Sequence, residues 1–257
     1  MDRASLHALL EAAYDRYNTP AFIEDDPVGI PHLFDHKEDI EIAGFLTALI
    51  AWGRRALIIR NAQALMARMD MAPHDFVVGA SAAELRRLAG FVHRTFNEQD
   101  ATALVLALRR VYAESGGLEG IFSQSLRPED PHVFPALCAA RSQLLALPDF
   151  PARSQKHLAN PASGSSAKRI NMYLRWMVRR DRRGVDFGLW QGIGMNQLIC
   201  PLDVHTGNVA RTLGLLSRTQ NDWKAALELT DALRSFCPED PVRYDFSLFG
   251  LGVNGEI

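Results

Sequence analysis

The sequence predicts an all-α protein. Apolar residues recur at spacings of three and four through most segments, and no stretch shows the strict alternation of a half-buried strand. Aspartate, serine and proline stand where such stripes begin, and glycine or proline stands where they end. At 257 residues and 47% apolar, the chain can bury a core as one unit over 1–257 or as two modest lobes.

The elements follow in order. Ile40, Ala43, Gly44, Leu46, Thr47 and Ile50 form one stripe, stopped by Gly53. Ile58 through Met69 marks a second helix. A third runs from Ala103 through Tyr112 to Gly116-Gly117. Val133 through Leu147 marks a fourth, stopped at Pro148. The next segment holds Pro148, Pro151, Pro161 and Gly164 with Ser163, Ser165 and Ser166, so 148–166 is expected to join lobes at 1–147 and 167–257. After it, Ile170, Tyr173, Leu174, Met177 and Val178 make a helix with Ser165 or Ser166 as the expected N-cap. Thr206, Val209, Ala210 and Leu213 follow, with Asp203 as cap and Gly214 as stop. Asn221 or Asp222 caps a helix striped by Trp223, Ala226, Leu227, Thr230 and Leu233, and Asp240-Pro241 opens the last one.

Composition excludes several classes. Charges interrupt every apolar stretch before it reaches a bilayer-spanning length, so no membrane partner is expected. The opening Met1-Asp2-Arg3-Ala4 reads as the start of a helix rather than a secretory signal. Cys138, Cys200 and Cys237 are far apart and odd in number, which points to reduced thiols in a cytoplasm and leaves too few ligands for a four-cysteine iron–sulfur loop. No cofactor is expected. The net charge of −2 is not that of a generally basic nucleic-acid binder, but charge is unevenly spread. Lys168, Arg169, Arg175, Arg179, Arg180, Arg182 and Arg183 crowd one stretch against a single acid, Asp181. That stretch is either a solvated helix face or a phosphate-contacting one.

Several other groups carry potential chemistry. His32, Asp35 and His36 lie close in sequence and would be the ligands of a metal-dependent hydrolase, although Pro27 and Pro31 favour a loop over the helix that would pair the histidines. Phe91-Val92-His93-Arg94-Thr95-Phe96-Asn97 is either a capped loop or a group that wedges beside an extruded base. Trp52, Trp176, Trp190 and Trp223 are expected in the core. Gly192-Ile193-Gly194 has no strand before it and is no nucleotide-binding signal. Lys168 falls in the first turn of its helix, where the dipole makes a poor site for a cation.

The run from Cys200 to Leu215 resembles the active-site segment of the helix-hairpin-helix DNA glycosylases: proline, Asp203, Val204, Val209-Ala210-Arg211 and Leu213-Gly214-Leu215 match in order. The resemblance implies a two-lobed helical glycosylase-like fold with Asp203 as the catalytic carboxylate. Lys168-Arg169-Ile170-Asn171-Met172 is similar to the helix start that carries the nucleophilic lysine in the archaeal 8-oxoguanine DNA glycosylases. The chain departs from the common pattern in one respect. Only Met195 to Leu202 separate Gly194 from Asp203, too few residues for the usual helix, so the hairpin is expected to be rearranged or missing.

Over most of its length the chain also resembles a bacterial family known as DUF2400. The shared phrases are Pro31-His32, Asp39-Ile40-Glu41-Ile42-Ala43, Ala51-Trp52-Gly53-Arg54, His93-Arg94-Thr95-Phe96, Lys168-Arg169, Leu174 through Arg179, Pro201-Leu202-Asp203 and Tyr244-Asp245-Phe246. The glycosylase resemblance implies excision of a damaged base from duplex DNA, with Lys168 as a Schiff-base nucleophile and abasic-site lyase activity to follow. Arg169, Arg175, Arg179, His205 and Arg211 are the candidates for DNA contact. The alternatives are a non-catalytic nucleic-acid-binding helical protein and the hydrolase built on His32, Asp35 and His36.

Overall fold

The computed structural model describes all 257 residues. The chain is helical as expected. Its α-helices are α1 (Arg3–Tyr17), α2 (Ala21–Glu24), α3 (Lys37–Ile50), α4 (Arg55–Arg68), α5 (Pro73–Gly79), α6 (Ala82–Leu85) and α7 (Glu98–Glu114). Then come α8 (Leu118–Ser123), α9 (Phe134–Leu145), α10 (Lys168–Val178), α11 (Val204–Thr212), α12 (Trp223–Arg234) and α13 (Asp245–Val253). The only sheet is a hairpin of β1 (Val92–His93) and β2 (Phe96–Asn97), a run the helical spacing could not show because each strand is two residues long. No helix is long and apolar enough to cross a membrane.

Two compact units form, and they are interleaved in sequence rather than sequential. The first holds residues 1–22, 127–134 and 160–257; the second holds 23–126 and 135–159. This differs from lobes at 1–147 and 167–257. The reason is α1, which packs on α13, from the far end of the chain. The approach is close: a Cβ on Gly250 would lie 2.2 Å from the Tyr17 ring, so only glycine fits there. Tyr14 and Phe22 meet Phe246 edge-on at 6.4 and 5.2 Å, and Ser247 donates its hydroxyl to the Leu10 carbonyl.

Within the first unit α13 also packs against α11. Trp176 and Trp190 are wholly buried and Trp223 nearly so. The amphipathic expectation for α10 fails in an informative way. Every residue from Ile170 to Arg179 is buried, so α10 runs through the core with Arg175 inside it and Arg179 at its C-cap. Arg175 is 4% exposed and Arg179 1%. Arg175 donates to Asp186 and Asp245; Arg179 donates to Asp181, Asp186, Asp240 and the Tyr14 hydroxyl. A buried guanidinium needs this many acceptors, because each unmatched donor is left without water.

The second unit is built on α3, α4, α5 and α7, with Ile42, Phe45, Leu46, Leu104, Val105 and Leu108 in its core. Glu41 is buried here and accepts from Tyr112 at 2.7 Å, and burial beside that carboxylate pushes the phenol well above its ordinary range.

Removing one member of a buried ion-pair network leaves the other charges uncompensated, at a cost of about 3–5 kcal/mol. Arg179→Gln should therefore lower unfolding free energy by that amount in a denaturant melt. Arg180→Gln, one residue on and exposed, should change it by less than about 0.5 kcal/mol.

Candidate active site

The first unit brings Lys168 and Asp203 together. Lys168 Nζ stands 3.7 Å from Asp203 Oδ2, with the two side chains 25% and 26% exposed. Lys168 opens α10, but neither Ser165 nor Ser166 is its N-cap. Ala167 holds that place in a left-handed conformation (φ +50°), buried, with no side-chain cap. The Ser165 hydroxyl instead accepts the Ala167 amide at 3.2 Å. A non-glycine residue in this region is strained and persists only where its surroundings hold it. Asn171 is part of that hold, donating to the Ser166 carbonyl at 3.0 Å.

Asp203 caps α11 as the sequence predicts. Its Oδ1 accepts the Thr206 amide at 3.0 Å, leaving Oδ2 to face the lysine. Capping therefore fixes the direction of the second oxygen. Asn221 Nδ2 donates to the Asp203 carbonyl at 3.0 Å, and Arg211 clamps Asn221 Oδ1 at 2.6 Å while donating to the carbonyls of Arg218 and Thr219. A Cβ on Gly207 would lie 2.9 Å from both Arg211 and Asn221, so a larger residue there would push on the clamp itself. Arg211 is thus a support for the Asp203 backbone, not a free cation for DNA.

The other expected DNA contacts are sorted by the fold. Arg175 and Arg179 are inside the core, as described, and cannot meet a phosphate. Arg169 is half-buried, and desolvation pulls its guanidinium down to about 10. His205 is exposed, two residues after Asp203. Residues 179–203 hold a single 3-10 turn, Met195–Gln197, so no second helix precedes Asp203 to make a hairpin. Gly194 serves that turn by donating its amide to Gln197 at 3.0 Å. In the other unit, His32 lies in a 3-10 turn and His36 stands at the start of α3; no group of three or more histidine, cysteine or acidic side chains gathers that could hold a metal ion.

Sequence reasoning missed Asp245. It is buried at the start of α13, with Oδ2 on Arg175 and Oδ1 4.0 Å from the Cys200 sulfur. Burial pushes its carboxyl up to about 6, against the pull of Arg175 and Lys168 and with a push from Asp203. Burial likewise raises the Cys200 thiol, helped by Asp245. Lys168 and Asp203 act on Asp245 electrostatically, and Arg175 ties it to α10, the helix that Lys168 opens. The sequence signals of Asp245 were its place between two aromatics, Tyr244 and Phe246, and that phrase's likeness to the DUF2400 family.

An all-helical chain with a partly exposed lysine–carboxylate pair is the class that fold and geometry define. Residues 26–254 match the family described as Protein of unknown function (DUF2400), and the chain belongs to that family. No curated protein and no solved structure matches it.

Two outcomes test this geometry. Asparagine caps a helix about as well as aspartate, whereas alanine forfeits about 1 kcal/mol; Asp203→Asn should keep the wild-type melting curve and Asp203→Ala should not. For Asp245 the folded state holds the proton more tightly than an unfolded chain titrating near 4. Its contribution to stability is therefore complete below about 4 and is lost as pH rises through about 6. Across that window the melting temperature of wild type should fall relative to Asp245→Asn.

Proposed function

We propose that this protein is a DNA base-excision glycosylase that forms a Schiff base through Lys168 and then cleaves the strand at the abasic site. The observation that carries this reading is the 3.7 Å approach of Lys168 Nζ to Asp203 Oδ2, both partly open to solvent. The resemblance of 200–215 to the glycosylase segment supports it, as does the strained, buried Ala167 immediately before the lysine.

The chemistry needs a nucleophilic amine and a carboxylate that handles its proton. Lys168 Nζ attacks C1′ of the damaged nucleotide, the glycosidic C–N bond breaks, and its electron pair leaves with the base, which takes a proton from water. Asp203 accepts the proton that the amine gives up. It returns that proton to the ring oxygen as the sugar opens to an imine. The imine then acidifies C2′, and loss of that proton expels the 3′ phosphate. Asp203 also offsets the positive charge that develops on the sugar as the base departs.

The expected result is a stable protein–DNA crosslink when borohydride reduces the imine on lesion-containing duplexes, including 8-oxoguanine and abasic sites. Lys168→Gln should abolish the crosslink. Asp203→Asn, folded as above, should slow excision about 10²–10³-fold. A crosslink that survives Lys168→Gln would assign the chemistry to another amine. No crosslink across a broad lesion panel would favour the non-catalytic nucleic-acid-binding reading.

A further inference from the structure

The second unit carries a cationic cluster that the lysine site does not use. Its β1–β2 hairpin turns at Arg94 and Thr95, with Val92 and Arg94 exposed and His93 and Phe96 buried. The His93 ring locks the hairpin to α4 and to the segment before it: its Nδ1 is 2.9 Å from Asn61 Nδ2 and its Nε2 is 3.2 Å from the Trp52 carbonyl oxygen. Trp52 is itself held, edge-on to His93 at 5.0 Å and stacked on His157 at 5.8 Å. The hairpin is therefore a rigid mount.

On that mount Arg94 lies across Gly53. A Cβ on Gly53 would stand 2.7 Å from Arg94 Nη1, and the glycine backbone is left-handed at φ +106°. Arg94 is left-handed too, at φ +55°. Arg54 follows Gly53 directly and is exposed. Neither guanidinium has an ion pair or hydrogen bond within the chain. The carboxylate of this cluster, Asp100, is wholly buried and already taken by Arg153 at 2.9 Å and by Ser154, with His157 Nε2 3.4 Å away. Two exposed arginines, Arg94 across Gly53 and Arg54 next to that glycine in the chain, thus stand on a fixed backbone with no ion pair of their own. Their planar, permanently charged forks suit a group with several acidic oxygens.

We propose that Arg54 and Arg94, set by Trp52-Gly53 and the hairpin, form a phosphodiester-binding patch that grips a nucleic-acid strand. The patch shares with the excision reading only the class of partner. It is tested on undamaged DNA in the Lys168→Gln background, so that either can fail alone.

The test is fluorescence anisotropy of the full chain with a labelled, undamaged single-stranded oligonucleotide across a salt series. Each phosphate contact on a single strand steepens the dependence of log affinity on log salt by about 0.7. Arg54→Gln/Arg94→Gln should therefore bind with a slope shallower by about 1.4. It should melt with the parent, since neither guanidinium has a partner to lose. Arg94→Gln alone should move the slope by half as much, and it carries the test if the double variant melts lower. Arg94→Lys keeps the charge and should keep the slope. An unchanged slope in the double variant would overturn the patch. Displacement of the strand by millimolar inorganic phosphate at constant ionic strength would also overturn the strand assignment, leaving a site for a small phosphate.

Discussion

The first unit depends on two buried arginines, Arg175 within α10 and Arg179 at its C-cap. Arg175 and Arg179 tie that helix to the 181–186 loop, to Asp240 and to Asp245 at the head of α13. Desolvating two guanidinium groups and several carboxylates is expensive, and the network holds because each donor has an acceptor. Its geometric effect is larger than its net energy. With Arg175 pinned from two sides, α10 cannot slide or rotate, and Lys168 lies seven residues away, two turns along the same face. Asp245 joins the network to the helix on which α11 rests, and α11 begins at Asp203. One buried cluster thus sets both members of the lysine–carboxylate pair.

How much of this was legible in the sequence follows from the range of each interaction. The helices, the caps at Asp203 and Asp222 and the stop at Gly214 are decided within four residues, and the sequence shows them directly. The inward arginines are not decided locally. Seven basic residues between 168 and 183 read as an outward face, solvated or phosphate-contacting, because the acids that bury two of them arrive as much as 70 residues later. The N-cap of α10 misled for a different reason. Two serines stood in range, but the backbone places a strained alanine at the junction, which no propensity would choose. The pairing of α1 with α13 likewise lies beyond any local pattern, although Gly250 records it in the form of a missing side chain.

Two arginines that the sequence treats alike acquire opposite roles. Arg211 matched the glycosylase segment in order, yet its guanidinium is committed to the 218–221 loop, and it acts on Asp203 only through Asn221. Arg94 sat in a run that read as a capped loop or a base-wedging group, and it is left uncommitted over a glycine. Partner supply, not residue type, separates a structural cation from one available to a ligand. The same principle explains why a net charge of −2 says little about nucleic acid here: charges consumed in the interior still count in the sum.

The central claim is that Lys168 forms the covalent bond to the sugar. Peptide mapping of the borohydride-reduced protein–DNA adduct by mass spectrometry tests it most directly. The account predicts the modified sugar on the peptide containing Lys168 and on no other. An adduct mapped to the N-terminal amine or to any other lysine would contradict it.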